Sequence, residues 1–460
     1  MHELIYASAT TLAKAIRTKE VSSEEVVKAY LARLEAVNPR LNAVVQLATE
    51  TALEQARQAD AALGRGEVKG PLHGVPMTIK DSFDTAGVVT TYGALGRAGY
   101  IPAQDATVVA RLKAAGAILV GKTNTPEFTL GYETDNSVYG RTNNPYDLER
   151  TPGGSSGGAA AIIAAGGSPF DIGTDTGGSI RLPAHFCGIA GIRPTSGRVP
   201  RTGHAIPPGG LLDSLTQVGP LARFVEDLRL ILPLIAGPDG RDPALAPAPL
   251  GDPDAVRLKG LRGAFHTDNG IQAVTPETAA VVKTAVEALT AAGVIFEEAR
   301  PTGIEESLEL LAQLMRGWDG GAWVRLLLER AGTAVNQTTL DRYLAGKTLP
   351  PEGLVRLIDQ WDRFRIKMLS FFEPYDFLLS PVNAYPAIRH GEMRAKYSGF
   401  SYTMTYNLTG WPGAVVRGGA SPEGLPIGVQ VIAHPWREDV ALAVARHLET
   451  ALGGWQRPPL

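Results

Sequence analysis

A single cysteine, Cys187, among 460 residues leaves no partner for an internal disulfide and no basis for a cysteine-ligated metal site. Histidine is also scarce. The eight residues are scattered and no His-Glu-x-x-His occurs, so neither a metal nor a cofactor is expected. Lysine and arginine (44) nearly balance aspartate and glutamate (47), with no basic block, which argues against a nucleic-acid footprint. No apolar run approaches the ~18 residues of a membrane span. Met1-His2-Glu3-Leu4-Ile5-Tyr6 lacks the basic and apolar regions of a signal peptide. These absences point to a cytoplasmic protein without disulfides. Its partner would be a small molecule rather than a membrane or nucleic acid, with a homodimer left open.

What is present is a chain of ordinary globular composition, 44% hydrophobic and 20% charged. Ser22-Ser23-Glu24-Glu25 has capping-box spacing, and Val26, Val27, Tyr30, Leu31 and Leu34 then recur on one helical face. A second helix is expected over 49–63. From Gly74 to about Leu221, short apolar strands alternate with Gly-rich turns and short helices. Val75 to Ile79 reads as a strand ending at Lys80, Asp105 to Ala115 as a helix and Ala117 to Val120 as a strand. The alternation suggests a mostly parallel sheet covered on both faces. Residues 238–253, rich in Pro, Asp, Ala and Gly, mark a connection. Residues 305–371 are largely helical, and their Trp318, Trp323 and Trp361 read as packing between helices. A strand over 428–432 and a helix over 439–452 close the chain.

Two Gly-rich segments carry the chemistry: Thr151-Pro-Gly-Gly-Ser-Ser-Gly-Gly158 and Gly173-Thr-Asp-Thr-Gly-Gly-Ser-Ile-Arg181. Each presents a serine just before a helical stretch, at Ser155 and Ser179. Glycine lets backbone N–H groups approach a ligand closely, and successive N–H groups at a helix start can hold an oxyanion. Thr176, Gly177, Gly178 and Ser179 could form that donor cluster. A serine nucleophile needs a base. With histidine scarce, Lys80 is the alternative, provided burial lowers its pKa from ~10.4 by about three units, or ~4 kcal/mol.

Together these segments closely resemble the amidase signature family. The resemblance extends to Gly74-Val-Pro-Met-Thr-Ile-Lys-Asp81, Gly121-Lys-Thr-Asn-Thr-Pro-Glu-Phe128, Asn143 to Arg150, Gly188 to Thr195, Leu212 to Pro220 and Asn407 to Pro412. It implies a large mixed twisted β-sheet sandwiched between helices, in one catalytic domain spanning 1–460. That domain would have a helical cover over about 1–70, a core over about 71–235 and 375–460, and a variable pocket-shaping region over about 240–375. It also implies a Ser–cis-Ser–Lys triad. Ser179 would be the acylated nucleophile, Ser155, after a cis peptide bond from Gly154, the relay, and Lys80 the base. Asp175 and Arg181 would buttress the loop, and Thr129 falls where some relatives contact the acyl group.

Other patterns compete with this one. Gly116-Ala-Ile-Leu-Val-Gly-Lys-Thr123 fits the P-loop formula, but its four central residues read as the strand itself. Gly153-Gly-Ser-Ser-Gly157 fits a nucleophile elbow with Ser155 as nucleophile and His390, His434 or His447 as base, but the preceding segment reads as loop. His73 and His185 lie near the chemistry in sequence and read as structural. The glutamine-hydrolysing subunit of tRNA-dependent amidotransferases is the alternative within the family. Phe400 stands where that subunit typically has an aspartate, and no arginine-containing glutamine-binding segment is evident near 310–345. A stand-alone amidase for an apolar or aromatic substrate is therefore expected.

Overall fold

The computed structural model describes residues 4–209 and 214–460. The first three residues, and the Leu212 and Asp213 that open one matching block, lie outside the described residues. Eleven strands form two sheets. The smaller joins β1 (Val44–Leu47), β2 (Pro76–Lys80) and β3 (Ile118–Thr123) in the order β1-β3-β2, with β2 parallel and β1 antiparallel to β3. The larger comprises β4 (Phe170–Asp175), β5 (Ala190–Arg193), β6 (Gln217–Ala222), β7 (Arg262–Phe265), β8 (Ile295–Glu298), β9 (Phe377–Pro381), β10 (Gly413–Ala420) and β11 (Pro426–Ala433). Its order is β4-β6-β5-β10-β11-β9-β7-β8.

The large sheet is mixed, as the family resemblance implies, but not mostly parallel as strand–helix alternation suggests. Only β7–β8 and β7–β9 pair in parallel; the other ladders are antiparallel. β10 and β11 are joined by a short turn, which can link only antiparallel neighbours, and β6 returns between β4 and β5. Both faces are covered. Along β10, Ala414 and Val416 pack with Leu448 of the helix Glu438–Leu452, while Val415 packs with Ile180 and Ala184. This is the period-two alternation of a strand buried on both sides.

The N-terminal reading holds in detail. Ser22 Oγ accepts from Glu25 N at 3.1 Å and Ser22 N donates to Glu25 Oε2 at 2.8 Å, closing the capping box of the helix Ser23–Leu41. The next helix is Thr49–Gly64. Gly121, Lys122 and Thr123 lie within β3, so the P-loop formula falls on a strand.

The two sheets meet at β2 and β4 through side chains rather than a ladder. Thr78 N donates to Ser168 Oγ at 3.2 Å and Lys80 N donates to Asp171 Oδ1 at 2.9 Å. The buried helix Gly157–Ala164 packs beside this seam, and Gly158 touches the chain so closely that a Cβ there would lie 2.5 Å from Asn124 N and 2.7 Å from Ala43 O. Gly158→Ala should therefore cost about 1–3 kcal/mol through overpacking, measured as a lowered midpoint in denaturant.

Candidate active site

Lys80 ends β2 with its side chain fully buried. Its Nζ lies 2.7 Å from Ser155 Oγ, 3.0 Å from Ser156 Oγ and 3.1 Å from Thr174 Oγ1. Among the described residues it forms no ion pair. Burial therefore drives its pKa well below the ordinary lysine value, opposed at longer range by the charges of Asp171 and Asp175. A neutral amine has two N–H donors and one lone pair, so among its three hydroxyl neighbours it can accept from one and donate to two. Asp171 is the nearest structural carboxylate. It accepts from Thr78 Oγ1 at 2.6 Å, from Lys80 N and from Thr123 Oγ1 at 3.0 Å, while burial pushes its pKa up to about 7.

A second buried lysine, Lys122, provides the contrast. Its Nζ donates to Phe83 O at 2.5 Å, Thr85 Oγ1 at 2.9 Å and Thr90 Oγ1 at 3.0 Å, with Asp81 Oδ1 at 3.8 Å. Burial lowers its pKa to about 8, opposed first by the charge of Asp81.

Ser155 follows a cis peptide bond from Gly154, as the resemblance implies. The preceding residues form no strand, so the context a nucleophile elbow requires is missing. Of its candidate bases, His434 Nε2 contacts Tyr375 O and His447 Nε2 contacts Ala288 O, while His390 Nε2 has no hydrogen-bond partner. His73 and His185 are likewise held by backbone groups, His73 at Lys69 N and Ala59 O, His185 at Gly428 N and Tyr385 O.

β4 runs from Asp171 and Thr174 directly into the Ser179 turn. Ser156 N donates to Ser179 O at 3.2 Å, which sets the two serine loops against each other. Asp175 organises the turn. Its carboxylate accepts from Gly178 N at 2.8 Å and Ile180 N at 3.2 Å, from Arg181 Nε and Nη2 at 3.0 Å each, and from Asn407 Nδ2 at 2.8 Å. Burial alone would raise its pKa, but the guanidiniums of Arg181 and Arg193 and the Asn407 amide hold it far below the usual carboxylate range. This geometry corrects the expected donor cluster. Gly178 N–H is committed to Asp175, whereas Gly177 N and Ser179 N have no protein acceptor among the described residues. Gly177 O is held by Tyr132 Oη at 3.0 Å and Thr403 Oγ1 at 2.8 Å.

Ser179 opens on a tight cavity of about 40 Å³ lined in part by Thr129, Tyr132, Thr176, Gly177, Arg316 and Arg342. Thr129 reaches it with φ +63°, and its buried hydroxyl has no partner. Phe400 does not line the cavity. It stacks behind Tyr132, ring centroids 4.7 Å apart, and so acts through that ring. The walls that sequence reasoning missed are two arginines. Arg316 ends the helix Ser307–Arg316 and sits over the Tyr397 ring, while Arg342 donates to Leu130 O at 2.8 Å. Among the described residues, no carboxylate lines this cavity. The three tryptophans of the helical region do not line it either, and Trp361 donates to Leu408 O within the core.

The sequence matches the Amidase family model over residues 25–442. The chain belongs to the amidase signature family. It is accordingly an enzyme that hydrolyses amide carbon–nitrogen bonds. Its relatives include a subunit of the glutamyl-tRNA(Gln) amidotransferase of Moorella thermoacetica, 37% identical with 99% of each chain covered. A 6-aminohexanoate cyclic dimer hydrolase superposes with a TM-score of 0.89 at 29% identity, covering 99% of each chain. A fatty acid amide hydrolase superposes with a TM-score of 0.88 at 26% identity, covering 98% of this chain and 86% of that one.

Removing the Asp175 carboxylate strands two buried guanidiniums. Asp175→Ala should destabilise the fold by about 3–5 kcal/mol in denaturant titration. Because the folded pKa is depressed, the stabilisation from this carboxylate is present above its unfolded pKa of ~3.9 and is lost as pH falls below it.

Proposed function

We propose that Ser179 is the nucleophile of an amidase whose proton path runs through Ser155 to Lys80. The observation that carries this reading is the buried Lys80 amine, surrounded by hydroxyls and 2.7 Å from Ser155 Oγ, with no carboxylate in contact to keep it charged. Neutral Lys80 takes the Ser155 proton as Ser155 takes that of Ser179, and Ser179 Oγ bonds to the amide carbon. Gly177 N–H and Ser179 N–H stabilise the oxyanion. On collapse the C–N bond breaks, and the proton returns from Lys80 through Ser155 to the departing amine. Water then cleaves the acyl ester by the same relay, releasing the acid. In this scheme Thr129, which lines the cavity, contacts the acyl group. No cofactor enters this scheme.

Ser179→Ala should abolish turnover and Lys80→Ala reduce it nearly as far, while Ser155→Ala keeps a residual rate. Intact mass should show an acyl adduct in wild type and none in Ser179→Ala; full activity in Ser179→Ala would sink the assignment. The charge of Asp171 favours protonated Lys80, so Asp171→Asn should lower the lysine pKa. The acidic limb of kcat/KM should then move to lower pH by roughly one unit.

The arginines revise the expected substrate. Arg316 and Arg342, facing Ser179 without a carboxylate among the lining residues, favour an amide bearing an anionic group over a purely apolar one. A glutamine-hydrolysing subunit of an amidotransferase is the second reading, supported by identity along the whole chain to such subunits. Against it, a free α-ammonium group would find no acid among the described residues that line the cavity. With Phe400 set behind Tyr132, the site suits a carboxylate-bearing amide better than an amino acid. A panel of glutamine, ω-amides of dicarboxylic acids and uncharged aryl amides separates the readings. Arg342→Gln should raise KM at least tenfold for the ω-amides of dicarboxylic acids and leave that of the uncharged aryl amides unchanged.

A further inference from the structure

On the other side of the 126–130 segment from Ser179 lies a second, roomier cavity of about 160 Å³. Its lining includes Tyr92, Arg97, Phe128, His204, Leu327 and Arg330. The proposed reaction uses none of them.

Its polar groups are unevenly satisfied. The His204 ring is buried, with Nδ1 3.1 Å from Ile206 N and 3.2 Å from Ile206 O, and its Nε2 has no hydrogen-bond partner. A ligand oxygen at Nε2 would select the neutral tautomer that carries the proton there, with Nδ1 accepting from Ile206 N–H. A buried ring nitrogen left without a partner is unfavourable, and a ligand oxygen accepting from it would remove that cost. Arg97 is held rigidly between the rings of Tyr92 and Tyr100, 3.8 Å from each centroid. It gives Nε to Thr90 O and Nη2 to Asp84 Oδ1, and Asp84 Oδ1 also accepts from Tyr92 Oη at 2.5 Å. Asp84 thus offsets one guanidinium, and exposed Arg330 at the rim leaves the cavity net positive. The remaining walls, Phe128, Leu327, Ala331 and Pro207, are apolar.

From these features we infer a second small-molecule site that takes a small carboxylate with an apolar or aryl body. Its oxygens would meet His204 Nε2–H and the Arg330 charge, and its body would lie against Phe128 and Leu327. The site has a physical link to the first. Phe128 (φ +47°) lines this cavity and Thr129 (φ +63°) lines the other, two successive left-handed residues that a ligand pressing on Phe128 would strain or relieve. The carboxylate could be the acid released by hydrolysis or an unrelated metabolite.

Benzoate is a suitable probe, titrated calorimetrically into the full-length protein, with a 4-bromobenzoate soak to locate the bromine by anomalous scattering. Binding should survive acylation of Ser179, should weaken at least fivefold in Arg330→Gln, and should weaken more in His204→Phe, which keeps the ring and removes the donor. Hydrolysis without benzoate should change less than twofold in Arg330→Gln. With benzoate present, inhibition or activation of amide hydrolysis should be non-competitive. Comparing benzoate with the acid product of each cleaved amide separates the two sources. Absence of binding at 20 mM, loss of binding on acylation, or bromine density at Ser179 would each overturn the inference. Because binding is measured independently of turnover, its failure is distinct from failure of the Ser179 assignment.

Discussion

Lys80 is buried without a contacting counter-charge, and much of the architecture around it serves that condition. An amine in this setting loses its hydration on protonation and recovers little from distant carboxylates, so the neutral form is favoured. Placing it there requires a strand end that reaches the interior. The junction of the two sheets supplies one: β2 meets β4 through Asp171 and Ser168 instead of a main-chain ladder, which leaves space for side chains between the strands. Asp171 spends its carboxylate on the Lys80 backbone and two threonine hydroxyls, so it fixes the position of the lysine while acting on the amine only through space. Lys122 differs in having a carboxylate, that of Asp81, at 3.8 Å, whose charge opposes the effect of burial.

The Ser179 turn obeys the opposite rule. Here charge is buried with its partners, and Asp175, Arg181, Arg193 and Asn407 form one cluster beneath it. Breaking such a cluster is costlier than its presence is stabilising. Its value to the site is positional: the carboxylate fixes the Gly178 and Ile180 N–H groups, which leaves those of Gly177 and Ser179 turned to other use. The two halves of the site therefore differ in electrostatic design, one neutral and one charge-paired, joined through the Ser156 N–H to Ser179 O bond.

This division explains what the sequence made legible. The capping box, the Lys80 strand and both serine loops are local patterns, in which neighbouring residues determine their own backbone, and they were readable. The P-loop and elbow formulas failed for equally local reasons, a strand in the wrong place and a strand missing. What was not readable depended on distant pairing. Strand direction in the large sheet follows from β6 returning between β4 and β5, which alternation does not encode. Phe400 looked like a pocket residue because its neighbour Tyr132, far away in sequence, is what separates it from the cavity. Arg316 and Arg342 sit on helices whose composition gives no hint that both line the cavity beside Ser179.

The same division bears on how one chain can resemble both stand-alone hydrolases and the subunits of an amidotransferase. Lys80, Ser155 and Ser179, to which the proposed reaction is assigned, are fixed by short segments and by β2, β4 and the turn after it. The cavity beside Ser179 is walled largely by residues 311–343 and the loop at 129–132, brought together by tertiary packing. Glu127 ties these parts, its Oε2 accepting from Thr338 Oγ1 and from Thr339 N and Oγ1 at 2.8 Å each. A change in the helical region can thus move the Thr129 loop, and with it the substrate cavity, without disturbing Lys80 or Asp175. Whole-chain identity to a relative therefore reports the reaction more directly than the substrate. The features that bear on the substrate are the two arginines and, among the described residues, the lack of an acid lining their cavity.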